Sequence, residues 1–180
     1  MRILIVVASQ TGRTRRMAEA VAEGARDAGA EVTLRSSEDA LASEGADTDA
    51  LILGSGVHMG GVEASMRLFL EKTSAQWMAG DWIGKVGAAF VSAGVGGRGG
   101  AELALVSLLS PLAEHGMMLV PMSNRVEGFL RGGSHWGPVA WTSPREGVPG
   151  PTPEHLAAAR AFGRHVAECT ARWLRGAEDS

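Results

Sequence analysis

The sequence predicts an α/β fold, a doubly wound three-layer sandwich around a five-stranded parallel sheet. Three observations carry this expectation. Apolar, β-branched runs alternate with helix-period segments along the chain, the pattern of right-handed βαβ units. The first run, RILIVVA, has no polar break after its arginine and reads as a strand buried on both faces. The loops richest in glycine and hydroxyls all follow strands, and in such a sheet those loops share one edge.

The elements follow in order. Residues 13–28 have helical spacing, with Met17, Val21, Ala25 and Ala28 on one face and Gly29 behind them as a C′ residue. Residues 31–35 (EVTLR) alternate and read as a second strand; 36–48 are polar and alanine-rich and read as a short helix. Residues 49–54 (DALILG) form the third strand, and 63–73 a helix with Met66, Phe69 and Leu70 inward. Residues 85–92 (KVGAAFVS) are the fourth strand, 100–115 a helix with Leu105, Leu109 and Leu112 on one face, and 117–122 (MMLVPM) the fifth strand. Residues 123–150 read as a long irregular insertion, a length that in compact domains is functional or disordered. Thr152 as N-cap and Pro153 at N1 open a last helix to about Arg175, with Leu156, Ala159, Phe162, Val166 and Trp173 facing in. No repeat or linker interrupts the chain, so residues 1–180 read as one domain. The first loop favours the strand order 2-1-3-4-5.

Composition narrows the function classes. The formal net charge of −3 gives no general drive toward nucleic acid or anionic membrane, and it lacks the acidity of a small electron carrier that docks on basic partners. Cys169 is the single cysteine, read as a small buried hydrophobe, and no Cys/His cluster has zinc spacing. The first apolar run is too short to span a membrane and lacks a signal peptide's pattern, so the expectation is a cytoplasmic protein. The chain has no Tyr, five Trp and 25 Gly, a glycine density that suggests backbone approaching a ligand or many tight turns.

In the first loop, Ser9, Thr11 and Thr14 place three hydroxyls around Gly12, just before a helix N-terminus whose free N–H groups favour an anion. Hydroxyls without a lysine suit a monophosphate, and the absence of GxxxxGK[ST] argues against ATP or GTP chemistry. A helix cap alone would also explain Ser9 or Thr11, and Arg13 is either a phosphate partner or a solvated side chain. The loop after the fourth strand formally contains GxGxxG from Gly94 to Gly99. It follows the wrong strand, and the next strand ends without an acid, which excludes a Rossmann dinucleotide site.

These stretches resemble a known family. SQTGRT is similar to the phosphate loop of flavodoxin-like FMN proteins, and nearly the whole chain resembles the WrbA-type NAD(P)H:quinone oxidoreductases. The resemblance rests on GSGVHMGGVEASMRLFLEKT with Trp77 and GK beyond it, then FVSAGVGG, PLAEHGMMLVP, RGGSHWGP and a final helix opened by TPE, in that order. It implies a flavodoxin-like 2-1-3-4-5 fold and non-covalent FMN. Ser9, Gln10, Thr11, Gly12, Arg13 and Thr14 would hold the phosphate. Gly56, Val57, His58, Met59 and Gly60 would border the isoalloxazine. Ser92, Ala93, Gly94, Val95, Gly96 and Gly97 would contact the pyrimidine edge and ribityl chain. The implied reaction passes hydride from NADH or NADPH through FMN to a quinone or related aromatic acceptor, with no catalytic side chain and no metal.

The same resemblance makes Trp77 and His115 site residues, Trp77 with His58 and Met59 on the substrate side and His115 on the flavin. Each follows a helix and precedes a strand, so each belongs to the opposite sheet edge and reaches a flavin only from a neighbouring subunit. A homo-oligomer, dimer or tetramer, is therefore implied. Without the resemblance, Trp77 reads as packing and His115 as a partner of a helix C-terminus. His135, Trp136 and Trp141 could cover the flavin or form a subunit contact, and Met59 could face substrate or pack. The chain departs from the family at Gly56-Val57-His58-Met59, where Pro-Thr-Arg-Phe is usual, and at Ala93 and Val95, where threonines are usual. A flavodoxin-type electron carrier without nicotinamide reductase activity is the alternative function, and a flavin-free binding protein a third.

Overall fold

The computed structural model describes residues 1–94 and 98–178. Arg2–Ala8 forms β1, in which Ile3 to Ala8 are at most 1% exposed. Such a strand must be covered on both faces, and it is. Ile3, Ile5 and Val7 pack with α1 (Arg13–Asp27) and α6 (Pro153–Glu178); Leu4, Val6 and Ala8 share the other core with α2 (Ala64–Glu71) and α4 (Arg98–Glu114). Three layers result, as side chains alternate across the pleat.

β1 runs parallel to β2 (Glu31–Ser36) on one side and β3 (Ala50–His58) on the other, and β3 runs parallel to β5 (Val86–Gly94). The parallel core has the predicted order, but its fifth position is filled by two segments. The expected strand 117–122 shrinks to β6 (Met118–Leu119), paired with Val86 and Gly87. Val120 N still donates to Gly87 O, but Pro121 has no N–H, and Met122 N turns to His135 O. The chain leaves the sheet, forms α5 (Phe129–Gly132) and β7 (Gly133–Ser134), and returns as β8 (Gly137–Thr142), parallel to the second half of β5. The stretch 123–150 is thus a strand-splitting excursion with its own elements rather than an irregular loop.

Four other expectations are adjusted. Residues 36–48 form no α-helix, only a 3-10 turn at Ala42–Gly45. Ser36 Oγ bonds both Asp39 Oδ2 and Asp39 N, a local alternative that competes with helix formation. The helix expected at 63–73 is α2, followed by an additional α3 (Ser74–Ala79). Trp173 does not face in: it is 44% exposed, and its Nε1 donates to Gly84 O at 2.6 Å. Cys169 is half-buried beside His165 rather than fully buried. Among the described residues, no helix is long and apolar enough to cross a membrane.

α1 and α6 cross unusually closely. A methyl group on Gly24 of α1 would overlap Arg160 O, and one on Gly163 of α6 would overlap Val21 O. Each helix presents a glycine to the other's backbone, and Arg160 then reaches Asp27 with its Nη2 2.7 Å from Oδ2.

Candidate functional site

The carboxyl ends of β1, β3 and β5 lie side by side, so the three predicted loops share one edge. The first leads into α1 through Gly12, whose φ of +78° is the left-handed conformation glycine adopts freely. Its N-cap residue, Gly12, makes no side-chain capping bond, and its first turn holds no acid. The N–H groups of Gly12, Arg13 and Thr14 meet no acceptor among the described residues, and space is open around Gly12. Arg15 N donates to Ser9 Oγ at 3.0 Å, whereas the Thr11 hydroxyl is exposed and has no partner among the described residues. Open N–H groups at a helix start form an anion cradle. Arg13 Nε donates to Pro149 O at 2.7 Å, which turns that guanidinium toward the segment before α6.

Thr14 differs from the expected free donor. It is 2% exposed, and its Oγ1 lies 2.7 Å from Ser92 Oγ, tying the first loop to the end of β5. A hydroxyl pair shares one hydrogen, so the other proton remains for a further acceptor.

The second loop is a tight hairpin. Val57 pairs with Val62 and His58 with Gly61 of β4 (Gly61–Val62), leaving Met59 (φ +50°) and Gly60 (φ +81°) as the two turn residues. Two positive φ angles in a two-residue turn match the twist of the flanking strands. Met59 stands wholly exposed at the tip, so packing does not explain it.

Glu63, which sequence reading passed over, secures this hairpin. Its Oε2 lies 3.3 Å from His58 Nε2 and accepts from Gln10 N of the first loop at 3.2 Å. Its Oε1 accepts from Ser65 Oγ at 3.4 Å, and its own N–H donates to Ser55 Oγ at 2.9 Å. Gly56 lies beneath the pair: an added methyl would sit 3.1 Å from His58 Nε2. The only sequence signal was an acid five residues after a histidine, and it gains meaning only once the hairpin folds them together.

Of the third loop, Ser92 and Ala93 are buried and Gly94 is exposed; Val95, Gly96 and Gly97 lie outside the described residues. Trp141 of β8 pairs with Ala93, and Thr142 Oγ1 donates to Ala93 O at 3.3 Å, which brings β8 to the same edge. His135 lies against Phe129 at 5.0 Å between ring centres, and Trp136 is 48% exposed at the β7–β8 turn.

Trp77 and His115 lie together at the other end of the sheet. They line a cleft of about 420 Å³ with Arg67, Ser74, Met78 and Glu114. Trp77 Nε1 donates to Glu114 O at 3.2 Å. His115 is 6% exposed and stacks on buried Trp82 at 4.1 Å. Thr73 Oγ1 donates to Leu70 O at 2.8 Å, so it accepts from His115 Nε2–H at 3.0 Å and leaves Nδ1 buried without a partner among the described residues. Burial pushes the His115 pKa down, against a smaller upward pull from Glu114, and favours the neutral ring. One subunit therefore does not bring Trp77 and His115 to the three loops.

The edge of three loops offers an anion cradle and a tight hairpin and, among the described residues, no side-chain nucleophile paired with a base. Among the described residues no group of His, Cys, Asp and Glu could hold a metal ion. The Flavodoxin domain family model matches residues 4–84. The NAD(P)H dehydrogenase (quinone) of Brucella anthropi is 34% identical, over 96% of this chain and 98% of that one. Its counterpart in Brucella ovis is 36% identical over the same shares. A WrbA-like flavodoxin protein from Agrobacterium tumefaciens superposes with a TM-score of 0.72 at 27% identity, covering 95% of this chain and 98% of that one.

Proposed function

The chain belongs to the flavodoxin-fold family of NAD(P)H dehydrogenases (quinone), and from that membership we propose that it is an FMN-dependent oxidoreductase carrying hydride from NADH or NADPH to a quinone or related aromatic acceptor. The observation that carries this reading is the open start of α1 at the carboxyl edge of the sheet. Its unpartnered N–H groups, acid-free first turn and free Thr11 hydroxyl fit the phosphate of FMN. When bound, FMN supplies the hydride-accepting and hydride-donating chemistry that the side chains here do not provide.

The chain's own residues bind and orient. Gly12, Arg13 and Thr14 would donate backbone N–H groups to the phosphate, with Ser9, Gln10 and Thr11 around them. Gly56, Val57, His58, Met59 and Gly60 would border one side of the ring, and the backbone beyond Ser92 and Ala93, including Gly94, the other. Exposed Met59 would give an aromatic acceptor an apolar surface at the tip of the hairpin. Hydride placement then depends on holding two flat rings in register, a positional contribution.

Trp77 and His115 would complete the site from a neighbouring subunit, with His115 on the flavin side and Trp77 on the substrate side. Their distance from the loops within one subunit supports a dimer or tetramer as the working form. The Thr73 contact fixes the orientation of the buried His115 ring beneath the Trp77 cleft. The single cysteine and the nicotinamide requirement support a cytoplasmic setting.

Anaerobic addition of NADH or NADPH to the FMN-loaded protein tests the reading. Bleaching of the yellow chromophore within seconds, and its return on adding a quinone, is the expected result. A flavin untouched by either nicotinamide would indicate an electron carrier and overturn the reductase reading. A protein that takes up no FMN would overturn both.

A further inference from the structure

The Glu63 carboxylate touches two of the three loops and places a negative charge beside an anion cradle. Its Oε2 accepts from Gln10 N, two residues before Gly12, so one backbone donor of the cradle is already committed to an anion. The cations of the same loop are directed elsewhere, Arg13 Nε to Pro149 O and Arg15 Nε to Glu19 Oε1. His58 is the basic side chain in contact with Glu63, at 3.3 Å. The carboxylate is mostly covered, with a side chain 14% exposed, so solvent screens it incompletely. It is also fixed from behind, because Ser37 Oγ donates to Ser65 Oγ at 2.9 Å and Ser65 Oγ to Glu63 Oε1.

We propose that Glu63 is an affinity-setting residue of the flavin site, whose charge opposes the FMN phosphate. The inference rests on the FMN reading above and deepens it. A hydrogen bond to Gln10 N could be made equally well by a neutral amide oxygen, so the charge has an effect separable from the geometry. Like charges held on neighbouring loops and partly shielded from solvent repel measurably. The hairpin's sequence thereby tunes how tightly FMN is retained without contributing a phosphate ligand.

Titration of the full chain, freed of flavin, with FMN and separately with riboflavin tests this by quenching of flavin fluorescence. Riboflavin has the same ring and no phosphate. Glu63→Gln is expected to tighten FMN binding about threefold to tenfold, the effect of one partly screened charge on a nearby anion, and to leave riboflavin binding unchanged. FMN affinity unchanged or weakened by Glu63→Gln overturns the inference. A change shared equally by FMN and riboflavin overturns it too, since that marks a structural role for the side chain. A native chain that quenches neither flavin overturns the FMN reading and the inference with it.

Discussion

Thr14 and Ser92 show how much of the site depends on single hydroxyls. They are 2% and 6% exposed, and each has the other as its hydroxyl partner at 2.7 Å. Thr14→Val keeps the side chain's shape, removes the bond and leaves the Ser92 hydroxyl buried without it. A buried polar group left unsatisfied costs about 1–3 kcal/mol, so the midpoint of urea unfolding should fall accordingly. FMN affinity should fall as well, because the first and third loops lose their tie. An unchanged midpoint would show that the contact is not made. The residue types of this loop were legible in the sequence, because Ser, Thr and Gly before a helical period mark a cradle. Their partners were not: which hydroxyl is free and which is used inside depends on β5, seventy-eight residues away. Glu63 was illegible for the same reason, since the two partners of its Oε2 come from the first loop and from the far side of a hairpin turn.

At the scale of elements, periodicity identified β1, α1, β3, β5, α4 and α6, each long enough for its pattern to be unambiguous. It failed where side chains or prolines override pattern, as with Ser36 and Asp39 in place of a helix and Pro121 at the end of β6. The close crossing of α1 and α6 was not legible either, because a glycine inside a helix does not announce what lies against it. Gly163→Ala would drive a methyl into Val21 O and separate the helices; overpacking of this kind costs about 1–3 kcal/mol, readable as a lowered melting temperature. The start of α6 adds a pH dependence. His155 Nδ1 accepts from Thr152 N at 3.1 Å, so the native ring must be unprotonated there. Burial holds its pKa below the ordinary value, against a smaller upward pull from Glu154. Above about pH 6.5 both folded and unfolded rings are neutral and the cap contributes fully. As pH falls through that value the unfolded state takes up the proton first, so stability declines toward the lowered native pKa. His155→Gln should flatten the fall in melting temperature below neutrality, leaving the smaller slope due to His115, which is shifted in the same direction. An identical slope in the variant would exclude His155 as its source.

At the scale of the whole molecule, the proposed roles of Trp77 and His115 require a second subunit. The cradle and hairpin occupy the carboxyl edge of the sheet, and Trp77 and His115 the amino edge. The elements near Trp77 and His115 carry exposed apolar side chains: Met78 is 82% exposed, Ile83 71% and Leu68 57%. Leu103 of α4, on the same side of the sheet as α2, is 64% exposed. Exposed apolar surface near half of a site marks where another copy would sit. Replacing both Met78 and Ile83 with Asp should dissociate the assembly in sedimentation velocity without disturbing the core, because neither side chain is buried. The resulting monomer keeps the complete cradle and should bind FMN nearly as the native protein does. It should lose reduction of that FMN by NADH or NADPH by about tenfold or more, since losing a contact worth roughly 1.4 kcal/mol already costs that much in rate. Restoring only one native side chain should recover assembly and rate together. A dissociated variant that is bleached as fast as the native protein would place the whole reaction within one subunit, and Trp77 and His115 would then be packing residues around Trp82.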